Sequence, residues 1–169
     1  QTIIRLPKPV IAQVHGIATA AGAQLVASCD LAISSQEARY ATPGVNIGLF
    51  CSTPMVALSR NLSNKHAMQM LLTGDLIDAQ NAYRMGLVNE VVDAEELGTK
   101  TMELAQKIAS KSPLTVAIGK EAYYRQAELP LSEAYNYTKE VMVRNLEARA
   151  AQEGISAFIE KRQPVWRGK

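Results

Sequence analysis

Residues 9–35, PVIAQVHGIATAAGAQLVASCDLAISS, decide how this chain folds. Two apolar stretches rich in β-branched residues, PVIAQVHG (9–16) and CDLAISS (29–35), are bounded by Pro, Gly or Ser and read as buried strands. Between them, IATAAGAQLVAS (17–28) offers small residues followed by Leu25 and Val26. That pattern predicts a tight turn into a short buried helix whose backbone can be approached closely.

Outward from this stretch, ARYAT (38–42) reads as a third strand ending before Pro43. Thr53 followed by Pro54 has the pattern of a helix start, and Ser63 before NKHAMQMLL repeats the signal, with Gly74 as the stop. Asp78 caps AQNAYRM, Gly86 ends it, LVNEVV (87–92) is a last strand, and Asp93 with Glu96 predicts a capping box. The helix after it places Leu97, Thr101, Leu104, Ala105 and Ile108 on one stripe. Ser112 with Pro113 starts another helix and Pro130 interrupts the chain. SEAYNYTKEVMVRNLEARA (132–150) then sets Tyr135, Met142 and Leu146 at compatible positions, and EGISAFIEKRQPVW (153–166) is predicted helical until Pro164. No internal repeat recurs at a fixed period.

The 169 residues, 47% hydrophobic and 20% charged, amount to one globular domain, and this composition disfavours disorder. Two cysteines cannot staple a chain of this length, and they suit a reducing compartment. A net charge of +2 is too small to point to nucleic acid or a membrane surface, and no apolar run approaches the ~18 residues of a span. The chain opens on Gln1 without the pattern of a signal peptide, so a processed or truncated chain is expected. Six basic and five acidic residues fall in 1–92, against twelve and eleven in 93–169. Charge at that density belongs on the outer faces of amphipathic helices. The expected organisation is therefore an α/β core over 1–92 followed by a helical region over 93–169.

For chemistry, His15 and His66 stand apart from each other and from Cys29 and Cys51, so no metal site is expected. His66 reads as a boundary-layer residue of its helix. No nucleophile elbow, phosphate loop or dinucleotide fingerprint occurs. The helix start at TAAGAQL (19–25) is the informative feature, because a helix beginning right after a strand presents unpaired N–H groups. Such amides can stabilise charge developing on a thioester or ester oxygen. The competing reading is that Ala20, Ala21, Gly22 and Ala23 are small only for tight packing.

The wording KPVIAQVHGIATAAGAQLVASCDLAISSQEARYATPGVNIGL (8–49), LLTGDLIDAQNAYRMGLVNEVV (71–92) and EGISAFIEKRQPVW (153–166) resembles the crotonase superfamily, the enoyl-CoA hydratase and isomerase family. Three ordered motifs carry the likeness over nearly the whole chain, and ATPGVN with GLFCSTP is similar to one branch of it. The resemblance implies an α/β spiral of ββα units with a helical C-terminal region. It also implies a homotrimer or dimer of trimers and an acyl-CoA or enoyl-CoA thioester held in an oxyanion hole. Coenzyme A then enters as part of the substrate, and no separate cofactor, metal, nucleic acid or membrane span is implied. The mitochondrial matrix or a bacterial cytoplasm is the implied location.

Residue by residue, the family's second oxyanion amide falls on Ala21, beside Ala20, and its two glutamates fall on Gln24 and Gly44. Gln24 cannot exchange a proton near neutral pH and Gly44 has no side chain, so efficient hydration is not expected. Putting both acids back, Gln24→Glu with Gly44→Glu, is expected to raise activity only if the family's full upstream segment, source of the first oxyanion amide, is present. That segment precedes the region seen here. Phe50, Cys51, Ser52 and Thr53 fall near the implied acyl pocket. Cys51 reads either as a nucleophile activated at a helix start or as a small buried hydrophobe, and Ser52 as a holder of water or a contact of the acyl chain. Phe158 and Lys161 match positions on the last helix that reach a neighbouring subunit's coenzyme A, and their spacing of three predicts one helical face. The bland alternative is a core Phe158 and a solvated Lys161. A lyase or isomerase on CoA thioesters and a non-catalytic acyl-CoA binding or assembly protein both follow from this pattern.

Overall fold

A computed structural model describes residues 1–166. The chain runs α1 (Thr2–Arg5), β1 (Ile11–Val14), β2 (Ile17–Thr19), α2 (Ala21–Ser28), β3 (Leu31–Ser35), β4 (Arg39–Ala41) and a 3-10 turn over Pro43–Ile47. It continues through α3 (Ser52–Asn61), α4 (Asn64–Thr73), β5 (Ile77–Asp78), α5 (Ala79–Met85), β6 (Glu90–Val92) and α6 (Leu97–Ala109). Three further helices follow, α7 (Pro113–Gln126), α8 (Leu131–Glu147) and α9 (Arg149–Ile159). Two compact units result, Val10–Ala105 and Gln1–Pro9 together with the chain from Gln106 onward.

In the Val10–Ala105 unit, His15 and Gly16 break the first apolar stretch, and Ile17–Thr19 forms a second strand where the sequence predicts only a turn. The reason is pairing, since β2 lies parallel to β4 with Ile17 opposite Arg39 and Thr19 opposite Ala41. β1 pairs in parallel with β3, Ile11 opposite Leu31, and β3 with β6, giving a sheet ordered β1-β3-β6. The other sheet is ordered β2-β4-β5, with β5 antiparallel. The first two passes of the chain each lay one strand in each sheet before helices return it, as in a ββα spiral, whereas in the third pass α5 lies between β5 and β6.

The core explains which residues occupy these elements. Tyr40, Leu58, Met70 and Leu71 are essentially inaccessible to solvent, and each such burial contributes about 1.5–3 kcal/mol. Ser34 and Ser35, also buried, are hydrogen-bonded as their burial requires. The Tyr40 hydroxyl donates to Ser34 Oγ (2.7 Å), which donates to the Ser35 carbonyl (3.0 Å). The bond joins a β4 side chain to a β3 side chain and so links the two sheets. Burial pushes the Tyr40 phenol above its ordinary pKa, against the smaller opposing pull of the Ser34 hydrogen bond.

Several helix starts and stops follow the predicted caps. Ser63 accepts from the His66 N–H, Asp78 from the Asn81 N–H and Ser112 from the Thr115 N–H. Gly74 and Gly86 close α4 and α5 in the left-handed conformation. The Thr53 start is displaced: α3 begins at Ser52, and its N-cap is Cys51, which makes no side-chain cap. Asp93 also departs from its predicted role. Its carboxylate accepts from Gln36 Nε2 (2.6 Å), and α6 begins only at Leu97. The first turns of α6 belong with Val10–Ala105 because Leu97 and Leu104 pack on Ile33 and Val92.

In the other unit, α7 packs on α8, and α8 on α9. The predicted stripe Tyr135, Met142 and Leu146 faces outward, each residue more than half exposed. The last helix stops at Ile159, well before Pro164. Lys161 takes a positive φ of 53°, its N–H donates to the Phe158 carbonyl (3.3 Å), and the Arg162 N–H donates to the Ala157 carbonyl (3.0 Å). This paired arrangement is a Schellman cap, completed here by lysine where glycine is usual. Phe158 and Lys161 therefore do not share one helical face. Beyond it, Arg162 is bidentate to Glu153, and the Trp166 indole donates to the Ser110 carbonyl (2.8 Å). Arg162 Nε also donates to Glu160, and the two carboxylates, Glu153 foremost, raise the Arg162 pKa.

Candidate functional site

The parallel strands β2 and β4 end side by side, and the chain beyond each of them forms the candidate site. Past β2, Ala20 adopts φ 47°, ψ −109°, its N–H donates to the Ala41 carbonyl (3.0 Å), and α2 begins at Ala21 with no side-chain cap. The Gln24 N–H donates to the Ala20 carbonyl (3.0 Å), so this carbonyl points into the helix. Across the trans peptide the Ala21 N–H points the other way, out of the helix start. Ala21 is exposed. Ligands of parallel α/β sheets sit beyond the carboxyl ends of strands, where such donors converge.

Small residues here serve two purposes. Ala23 is fully buried, and so is small for packing. At Gly22 an added Cβ would meet only the Ala18 Cβ, at an ordinary 3.8 Å, so packing does not demand a glycine there. The site can thus be approached at Ala21 and Gly22, one turn ahead of the half-buried Gln24.

Past β4, Thr42 is buried and its Oγ1 donates to the Met70 carbonyl (2.8 Å), fixing the turn to α4. Gly74 holds the other side of that turn. Its φ is +65°, and a Cβ on it would lie 3.0 Å from Val45 Cγ2 and 3.1 Å from Pro43 Cα. Gly44 is enclosed still more closely. A Cβ there would lie 2.5 Å from the Leu49 carbonyl oxygen and 2.9 Å from Cys51 Sγ. The Leu49 N–H donates back to the Gly44 carbonyl (2.9 Å), which closes the ring.

This geometry corrects one expectation, that Gly44→Glu simply restores a carboxylate. Any side chain at 44 must first displace the Leu49 main chain. The Leu49 carbonyl is the feature that sequence reasoning missed, and no side-chain pattern could announce a main-chain oxygen. Cys51 lies buried among the core residues and touches the Gly44 position. Ser52 is exposed, its Oγ donating to the Phe50 carbonyl (3.3 Å), and Phe50 is half exposed. α2 packs on α3, so Gln24, Cys51 and Ser52 stand on neighbouring elements. Phe158, 85% exposed, and Lys161 belong to the other compact unit. Among the described residues no group of three or more His, Cys, Asp or Glu is placed to hold a metal. Nor is any described helix long and apolar enough to cross a membrane.

Residues 1–169 match the enoyl-CoA hydratase/isomerase family. The chain belongs to that family. Its wording is 55% identical over 161 residues to the mitochondrial enoyl-CoA hydratase domain-containing protein 3 of Xenopus laevis, covering 95% of this chain and 55% of that protein. That is the branch to which ATPGVN and GLFCSTP pointed. The crystal structure of an enoyl-CoA hydratase from Mycobacterium smegmatis superposes with a TM-score of 0.95 at 51% identity, covering 97% of this chain and 64% of that one. The human enoyl Coenzyme A hydratase domain-containing protein 3 superposes at 0.94 with 54% identity, covering 97% and 65%. The ββα spiral is thus the crotonase fold. The family member described here spans about half the length of the curated relatives it matches.

Proposed function

We propose that this crotonase-family chain binds an acyl-CoA or enoyl-CoA thioester and acts as a lyase or isomerase on fatty-acyl or related substrates. The observation that carries this reading is the exposed, uncapped Ala21 amide beside the Gly44 turn, at the carboxyl ends of two parallel strands. A preorganised amide aimed at a thioester oxygen stabilises the charge of an enolate or tetrahedral species, and one such donor contributes about 2.7–4 kcal/mol to a transition state. Reactions that need this polarisation with one weak base or a water can run on it. Hydration that needs two carboxylates cannot, since Gln24 and Gly44 supply none.

Phe50, Cys51 and Ser52 are assigned to the acyl side of the pocket. Phe158 and Lys161 are assigned to the coenzyme A of a neighbouring subunit in a homotrimer or dimer of trimers. The outward faces of α8 and α9 support that assembly, because Tyr135, Met142, Leu146 and Phe158 otherwise remain in water. Light scattering that shows a monomer at micromolar concentration removes it. The mitochondrial relatives and the mycobacterial structure support a mitochondrial or bacterial cytoplasmic location.

A second reading, a non-catalytic acyl-CoA binding or assembly protein of the same fold, is favoured by the packing at Gly44, which leaves no room for a catalytic side chain. Calorimetry with a panel of acyl- and enoyl-CoA thioesters, followed by turnover assays, separates the two. Binding with slow conversion supports the enzyme, and binding without conversion of any thioester supports the second reading. Crotonyl-CoA hydration is expected to run ~10²–10⁴ below that of a hydratase with both carboxylates. A rate within about tenfold of such an enzyme overturns the expectation of slow hydration, and no thioester binding at all overturns the proposal.

A further inference from the structure

Ala20, the N-cap of α2, has φ 47° and ψ −109°. This is the setting of the first central residue of a type II′ turn, about +60°, −120°, which glycine takes freely and a residue with a Cβ takes only under strain. The glycine of this turn stands elsewhere. Gly22 has no positive φ, and a Cβ there would meet only an ordinary contact with Ala18 at 3.8 Å. The sequence thus puts its glycine two residues past the position whose main chain asks for one.

Two hydrogen bonds hold Ala20 in this setting. Its N–H donates to the Ala41 carbonyl at the end of β4 (3.0 Å), and its carbonyl accepts from the Gln24 N–H (3.0 Å). The first anchors the residue to the strand. The second fixes the Ala20–Ala21 peptide with its oxygen into the helix and the Ala21 N–H outward. An easier setting for alanine lies nearby, because the left-handed helical well, about +57°, +47°, is reached by turning ψ through about 155° with little change in φ. That turn leaves the Ala20 N–H on Ala41 and inverts the peptide beyond it. The Ala20 carbonyl then leaves Gln24 and faces the site, where an oxygen repels the negative charge that an N–H stabilises.

We propose that Ala20 is a positioning residue, and that strain at its main chain makes the Ala20–Ala21 peptide a two-position element whose outward N–H a bound thioester oxygen stabilises. The Ala41 carbonyl is the pivot. The Gln24 N–H and the thioester oxygen favour the outward position, and the Ala20 Cβ opposes it. This role rests on the thioester reading of Ala21, so it is measured once with ligand and once without.

Ala20→Gly removes the Cβ and with it the strain. Calorimetry on the full-length protein compares hexanoyl-CoA with S-hexyl-CoA, a thioether that lacks the carbonyl. Ala20→Gly should bind hexanoyl-CoA roughly three- to tenfold more tightly than the wild type and S-hexyl-CoA equally, since only the former needs the outward amide. Ala20→Val, whose branched Cβ closes this setting, should bind the two ligands alike, with wild-type affinity for S-hexyl-CoA showing that the fold is kept. Where the wild type prefers the thioester, an Ala20→Gly protein that binds it no more tightly overturns the role. A gain shared by S-hexyl-CoA also overturns it, because the substitution then acts on the fold and not on the amide. A wild type that binds both ligands alike removes the thioester reading of Ala21 instead, and the two-position peptide is then decided without ligand. Hydrogen exchange does so at the Gln24 amide, which is bonded to Ala20 only in the outward position. Its exchange should slow about tenfold in Ala20→Gly, and an unchanged or faster rate overturns the strain argument.

Discussion

Gly44→Ala adds one methyl group at the tightest point of the candidate site. The new Cβ would stand 2.5 Å from the Leu49 carbonyl oxygen, 3.3 Å from the Leu49 carbonyl carbon and 2.9 Å from Cys51 Sγ. Ordinary contact begins at 3.4 Å, so the Leu49 oxygen must retreat by about 0.9 Å. It cannot do so alone, because the Leu49 N–H is bonded to the Gly44 carbonyl and the turn is braced by Thr42 and Gly74. Overpacking of this kind costs about 1–3 kcal/mol, whereas the smaller unfolded-state entropy of alanine returns only about 0.4–1 kcal/mol. A net loss of roughly 1–2 kcal/mol should therefore appear as a lower urea midpoint with an unchanged slope. Repeating the substitution in a Cys51→Ala background relieves the sulfur contact but leaves the shorter one to main chain, so most of the penalty should persist. A Gly44→Ala protein as stable as the wild type would refute the packing argument, and with it the claim that a glutamate at 44 demands a rebuilt turn.

Tyr40→Phe leaves Ser34 Oγ without its donor in a buried site and should cost about 1–2 kcal/mol. The phenol's pKa lies above its unfolded value of about 10, so its contribution is complete below that pH and is lost as pH rises beyond it. Urea midpoints compared near pH 8 and pH 11 should therefore fall less for Tyr40→Phe than for the wild type, and equal falls contradict the assignment. Lys161→Gly relieves a left-handed lysine and should stabilise the protein by about 0.5–1 kcal/mol in thermal unfolding. If Lys161 also meets a phosphate, the same variant should bind coenzyme A more weakly but leave binding of the 3′-dephospho form unchanged. Equal affinity of wild type and variant for coenzyme A confines the residue to its cap.

What could be read from the residues themselves was local. Caps at Ser63, Asp78 and Ser112 depend on one side chain reaching an N–H three positions ahead, and left-handed stops at Gly74 and Gly86 depend on one missing Cβ. The strands around residues 9–35 were visible from apolar runs, and the Ala21 helix start from its small residues. Even the family was legible, through wording that spans the whole chain. Where a local signal had a rival in space, the rival prevailed: Asp93 accepts from Gln36, 57 positions away, rather than capping its helix.

Tertiary structure decided the rest because the deciding partners are main-chain atoms or distant in sequence. Ile17–Thr19 is a strand only because β4 lies alongside it, although its three residues are too few to announce one. The last helix ends at Ile159 through a cap on Lys161, a residue with no intrinsic preference for positive φ. Gly44 appears in the sequence as a missing acid, and only the folded turn turns it into a filled position, through an oxygen every residue carries. Residue types set which hydrogen bonds and contacts are possible, and the packing of β2 beside β4, with the turns beyond them, selects the ones that shape the site.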